Sequence, residues 1–189
     1  MGMQQRDIEV RVSRLPEGAK FEMHVRGGES PESRTIVEDL DCLPSVVRNR
    51  ITKTSEVAVK VYLSSCGLKR VPSWVFGLPR LTWLDLSNNQ LTALPSEIGR
   101  LTNLTRLDLA RNQLTGLPLE IGELKKLTEL YLAWNQLTDV LPGIRELKKL
   151  KKLDLSWNQL TSVPPWIGEL TELTDLFVSG CGGFGGWWR

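Results

Sequence analysis

The chain has 189 residues, and 32 of them are leucine, about one in six and well above ordinary usage. Its 24 Lys and Arg against 22 Asp and Glu leave a net charge of +2, which argues against a general nucleic-acid binder, while 41% hydrophobic content supports a packed core rather than disorder. No uncharged apolar run approaches the ~18 residues of a membrane span, and the three cysteines, Cys42, Cys66 and Cys181, are too widely spaced for a disulfide framework or a zinc site.

Residues 1–57 read as a separate N-terminal segment. The polar start, Met1 to Glu9, lacks the apolar stretch of a secretory signal. With the odd cysteine count, this points to a reducing, cytoplasmic location. Ile8, Val10 and Val12 alternate, as do Phe21, Met23 and Val25, with the turn-rich LPEGAK between them. That pattern predicts a β-hairpin. After the GGESPES loop, Ile36, Val37, Leu40, Leu43, Val47 and Ile51 recur at helical spacing, broken by Pro44. The spacing predicts one helix to about Asp41 and another from Pro44, where proline suits a first turn.

Residues 58–181 repeat. Leu81, Leu104, Leu127, Leu150 and Leu173 are spaced by 23 residues, and the same step back from Leu81 reaches Ala58, which opens a degenerate copy. There are five full units and one half unit. In each LxxLxL the last two leucines alternate with polar residues, the period-2 signature of a strand buried on one face. Asn follows three residues later (Asn89, Asn112, Asn135, Asn158), and its amide has the donors and acceptor to satisfy backbone groups where the chain turns. Cys66 and Cys181 occupy this place in the first and last copies. Leu94-Pro95 and Leu117-Pro118 carry the chain back, and Ile98-Gly99, Ile121-Gly122 and Ile167-Gly168 add a core residue and a permissive turn. The fourth copy departs: Val140-Leu141-Pro142-Gly143-Ile144-Arg145 shifts the proline and puts Gly before Ile, predicting a different turn there. No unit buries its own leucines alone, so neighbouring copies must stack. Residues 182–189, GGFGGWWR, form a Gly/Trp tail, read as an improvised end cap or a self-association contact.

These units resemble the leucine-rich repeat in its 23-residue LPxxIGxL form, as in intracellular plant Ras-group-related, ROCO, bacterial and giant-virus proteins. The resemblance covers residues 58–181 and implies an α/β-type repeat solenoid. In that horseshoe a parallel β-sheet lines the concave face and irregular or 3₁₀ turns the convex side. Residues 1–57 would then supply a hairpin-plus-helix cap over the exposed end of the first repeat.

Catalytic, cofactor and metal constellations are not legible. His24 has no triad partners, the glycine-rich tail has no phosphate-loop context, and no metal-ligand spacing occurs. The column Asp85, Asp108 and Asp154 belongs to the repeat's LDL pattern, on open strands with nothing expected to raise a pKa. Lys125, Lys126, Lys148, Lys149, Lys151 and Lys152 are interleaved with Glu120, Glu123, Glu129 and Glu146, which reads as a solvated rim.

The solvent-facing positions of the repeat are its third, fifth, seventh and eighth. Stacked, the third reads Lys60, Trp83, Arg106, Glu129, Lys152, Asp175, and the fifth Tyr62, Asp85, Asp108, Tyr131, Asp154, Phe177. The seventh is small throughout and predicts a shallow trough. The eighth reads Ser65, Asn88, Arg111, Trp134, Trp157, Gly180. Trp, Tyr and Arg are enriched in binding hot spots. The expected function is therefore non-catalytic recognition of a protein or peptide on the concave face, with no nucleic acid and no membrane. The expected contact residues are Trp83, Arg106, Arg111, Glu129, Tyr131, Trp134, Lys152, Trp157 and Phe177. The alternative is the recognition arm or adaptor of a ubiquitin-ligase or bacterial effector system whose catalytic part lies elsewhere.

Overall fold

The computed structural model describes residues 7–14, 21–27, 33–37, 40–41, 44–45, 47, 49, 58–78, 80–139 and 142–181. Its strands are β1 (Ile8–Arg14), β2 (Phe21–Arg26), β3 (Ser33–Val37), β4 (Val59–Tyr62), β5 (Leu81–Asp85), β6 (Arg106–Asp108), β7 (Glu129–Tyr131), β8 (Lys152–Asp154) and β9 (Asp175–Phe177). They form one sheet in the order β3-β2-β1-β4-β5-β6-β7-β8-β9. From β4 to β9 every pairing is parallel, one strand per repeat.

The hairpin expected near the N-terminus is β1 and β2, paired antiparallel from Glu9↔Arg26 to Arg14↔Phe21. Strand β1 also pairs in parallel with β4, Ile8 beside Val59 and Val10 beside Val61. Ile8, Val10, Met23, Val25 and Val61 are fully buried, so one core runs from the hairpin into the repeats. The helix expected to reach Asp41 is not there: Ile36 and Val37 lie in β3, opposite Glu22 and Phe21 of β2. The run Thr35-Ile36-Val37 is β-branched throughout, and β2 offered an unpaired edge, so sheet pairing overrides the helical spacing. Further on, Ser45, Val47 and Asn49 are helical, as expected after Pro44. Leu43 and Ile51 of that pattern lie outside the described residues. Trp74 ties this segment to the first repeat, its Nε1 donating to the Leu40 carbonyl at 2.6 Å.

Inside the repeats, Leu84, Leu86, Leu107, Leu109, Leu130, Leu132, Leu153 and Leu155 are all fully buried. Burial of each such side chain contributes about 1.5–3 kcal/mol. The asparagines form the expected ladder. Asn112 Nδ2 donates to the carbonyls of Leu86 and Leu109, both at 3.0 Å, and its Oδ1 accepts from the Leu91 amide at 3.0 Å. Asn89, Asn135 and Asn158 repeat this, each joining its own repeat to the one before. At the ends, the Cys66 thiol donates to the Val12 and Ser64 carbonyls, and the Cys181 thiol to that of Leu155. Burial pushes the Cys66 thiol up to about 11.

Five 3₁₀ turns follow the strands: η1 (Ser73–Gly77), η2 (Ser96–Arg100), η3 (Leu119–Glu123), η4 (Pro142–Glu146) and η5 (Pro165–Glu169). In η1, η2, η3 and η5 the residue before the turn is a proline with extended backbone, Pro72, Pro95, Pro118 or Pro164. The fourth copy keeps a 3₁₀ turn of the same length at the same place, despite its shifted proline; Val140 and Leu141 lie outside the described residues. What changes is the packing. A Cβ on Gly143 would lie 2.8 Å from Ile121 Cγ2, and one on Gly122 would lie 2.9 Å from the Gly143 carbonyl oxygen. The moved glycine lets η3 and η4 interlock.

Candidate functional site

The strand register builds the expected rows. Trp83, Arg106, Glu129, Lys152 and Asp175 lie side by side, as do Asp85, Asp108, Tyr131, Asp154 and Phe177, with Lys60 and Tyr62 at the start of the two rows. The eighth position lies beyond the strand. Ser65, Asn88, Arg111, Trp134, Trp157 and Gly180 all have positive φ, between 53° and 72°. The chain must swing out of the sheet here, and a left-handed residue makes that turn. Non-glycine side chains in this region cost about 1–2 kcal/mol each. The seventh position does not form an open trough throughout. Ala133 and Ser156 are both only 6% exposed, so the surface is closed there.

Two separate stacks occupy the face. The first runs across the N-terminal half. The Arg11 guanidinium sits 4.0 Å from the Tyr62 ring centroid, and Tyr62 meets Trp83 at 5.2 Å with a 55° tilt. Arg106 lies between Trp83 and Tyr131, 4.4 and 4.8 Å from their centroids. Its Nη1 pairs with Glu129 at 3.0 Å, and the same carboxylate accepts from the Tyr131 hydroxyl at 2.8 Å. Trp83 and Tyr131 are therefore part-buried members of an internal network, and Arg106 and Glu129 neutralise each other. Trp83 Nε1 and Arg106 Nε are buried without a hydrogen-bond partner. Burial first, and the Glu129 hydrogen bond second, raise the Tyr131 hydroxyl above its usual range. Sequence reasoning missed Arg11, which reaches this face because β1 continues the sheet. Its only sequence signal was the Ile8-Val10-Val12 alternation.

The second stack lies toward the C-terminal end. Arg111 is 5.4 Å from the Trp134 ring, Trp134 and Trp157 stack at 4.6 Å, and a Cβ on Gly180 would lie 2.6 Å from Trp157 Cδ2. Both outer faces of the tryptophan pair are thus in contact with the protein, and the edges meet solvent. Trp134 is 46% exposed, Trp157 50% and Phe177 50%. Lys152 and Arg111 are exposed as well.

The aspartate column is structural. Asp85, Asp108 and Asp154 each accept the backbone amide two residues on, from Ser87, Ala110 and Ser156. Contrary to the expectation from an open strand, Asp108 is held above the usual carboxylate range. Burial is the main cause, opposed by the Ala110 amide and reinforced by Asp85. Among the described residues no group of three or more His, Cys, Asp or Glu is placed to hold a metal ion, and no helix is long and apolar enough to cross a membrane.

The family model described as a leucine-rich repeat region matches residues 73–181, more than half of the chain. The chain belongs to the leucine-rich repeat family. None of the curated proteins matches it. Among solved structures it is similar to a leucine-rich repeat protein of Leptospira interrogans, with 31% identity, a TM-score of 0.59, and coverage of 72% of this chain and 41% of that one. An internalin of Listeria monocytogenes is also 31% identical, with a TM-score of 0.55 over 64% of this chain and 34% of that one. The leucine-rich repeat ectodomain of an Arabidopsis thaliana receptor kinase shares the fold at 21% identity and a TM-score of 0.55, covering 95% and 82%. The chain thus spans about two fifths of the Leptospira protein and a third of the internalin. Leucine-rich repeat domains are in general non-catalytic protein-interaction modules, and by family this chain carries a protein-interaction module.

Proposed function

We propose that this leucine-rich repeat module binds a protein or peptide partner on its concave sheet face, with Trp134, Trp157 and Phe177 as apolar contacts. The observation that carries the reading is their exposure, about half of each residue, in a chain whose strand leucines from Leu84 to Leu155 are fully buried. Large exposed aromatics grouped at one end of a face are the usual anchors of an interface. Arg111, stacked on Trp134, and Lys152 flank them as exposed cations. Trp83, Arg106, Glu129 and Tyr131 serve as a pre-ordered floor, because their side chains are already engaged with one another and little rotamer freedom is lost on binding. An intracellular setting belongs to the same proposal, and the two described cysteines are buried free thiols. The self-association considered for the Gly/Trp tail concerns residues outside the described part.

The test is capture of a partner from a lysate of the source organism by the wild-type chain and by Trp134→Ala/Trp157→Ala/Phe177→Ala, with circular dichroism to establish that the variant is folded. A partner bound by wild type and lost by the folded variant is expected. Equal capture by both would remove the concave aromatic end as the site.

A further inference from the structure

We propose a second binding site on the outer side of the first two repeats, a cleft that takes an apolar side chain of a peptide flanked by carboxylates. The middle turns are packed to contact. A Cβ on Gly99 would lie 3.0 Å from Glu120 Cβ, and Gly122 and Gly143 are equally tight. A Cβ on Gly77, which closes η1 where Arg100 closes η2, meets nothing within 4 Å. Gly168 is open too, but no 3₁₀ turn follows it among the described residues. Beside η1 and η2, between Phe76 and Arg100, lies a depression of about 570 Å³. That lies within the ~300–1,000 Å³ of small-ligand and side-chain pockets.

The lining selects the occupant. Val71 and Leu94, each 6% exposed, and the part-buried Phe76 make an apolar floor. Lys69 and Arg100 stand at the rim with no ion-pair partner among the described residues. Arg70 beside them pairs with Asp41 yet keeps 80% of its side chain exposed. Among the described lining residues Glu97 is the one acid. A purely apolar partner would desolvate these cations without compensation, and a basic one would be repelled. An apolar residue between carboxylates satisfies both floor and rim. The cleft shares no lining residue with Trp134, Trp157 and Phe177 and stands or falls independently of them.

The probe is a fluorescein-labelled peptide, Glu-Asp-Leu-Phe-Asp-Glu, titrated with the full chain by fluorescence anisotropy. Saturable binding is expected, weakened by about tenfold in Ala93→Trp, which plugs the cleft, and in Arg100→Glu, which inverts its rim. Both positions are exposed, so neither change enters the core. Trp134→Ala is expected to bind as wild type does, and a peptide with Lys in place of each acid is expected not to bind. The proposal is overturned by absence of saturable binding to wild type, by undiminished binding to Ala93→Trp, or by loss of binding in Trp134→Ala instead.

Discussion

Trp134 and Trp157 lie face to face, their ring centroids 4.6 Å apart and their planes 12° from parallel. Arg111 covers one end of this pair, and the backbone at Gly180 the other. A partner therefore meets indole edges rather than a free ring face. The arrangement depends on Gly180, whose φ is +72° and whose missing Cβ makes room for the Trp157 ring. Gly180→Ala is expected to displace Trp157, change the near-ultraviolet circular dichroism and destabilise the chain by about 1–2 kcal/mol from the left-handed backbone. An unchanged near-ultraviolet spectrum would show that the indole does not rest on residue 180.

The ladder asparagines are the most demanding polar positions. Asn112→Ala leaves the Leu91 amide without a partner and removes one of two amide donors from each of the Leu86 and Leu109 carbonyls, which keep Asn89 and Asn135. An orphaned buried group costs about 1–3 kcal/mol. A loss of roughly 3 kcal/mol is expected, seen in thermal melts as a drop near 10 °C at about 2–4 °C per kcal/mol for a chain of this size. Asn112→Asp should be at least as damaging, because it sets an acceptor against two carbonyls.

Asp108 gives a pH-dependent handle. Burial raises its carboxyl above the ordinary 3.8, so the folded chain holds this proton more tightly than the unfolded one. The stability it contributes is present below 3.8 and is lost as pH rises through the raised value. Asp108→Asn keeps an acceptor for the Ala110 amide and removes the desolvated charge. Its melting temperature at pH 7 is expected to exceed that of wild type by about 2 °C, and the gain should vanish on approaching pH 3.8. A gain that stays constant with pH would rule out the charge as its cause.

Cys66 behaves as a core residue. With its thiol pushed by burial from 9.0 up to about 11, it stays protonated and shielded at pH 8. In a chain carrying Cys42→Ser and Cys181→Ser, Ellman's reagent is expected to react with it only after denaturant is added. Stability should also fall as pH rises from 9 toward 11, where the unfolded thiol ionises and the folded one resists. Rapid labelling of the native chain at pH 8 would contradict this.

Arg106 is held by shape as much as by charge. Arg106→Lys keeps a cation beside Glu129 but loses the planar contacts with Trp83 and Tyr131. A loss of about 1 kcal/mol is expected, measurable by urea unfolding. No change on Lys and a loss on Gln would assign the effect to charge alone.

The solenoid was legible in the leucines and asparagines because each repeat states the same local rule. A 23-residue period, a period-2 strand and one amide at the turn leave a single way to bury the apolar face. The rows of the concave surface followed from that register, so Trp83, Arg106, Glu129, Tyr131, Trp134, Lys152, Trp157 and Phe177 were found on one face, with Arg111 at its rim. Their division of labour was not legible. Which of them pair internally depends on distances across strands, and these separate the engaged Arg106 and Glu129 from the exposed Trp157 and Phe177. The 33–37 segment escaped for a related reason: Ile36 and Val37 fit two periodicities, and only the free edge of β2 chose between them. The rise at Asp108 and the cleft over Val71 and Leu94 likewise arise from how neighbouring repeats meet. Sequence period determines what each repeat must bury; the spacing of one repeat against the next decides what remains open to a partner.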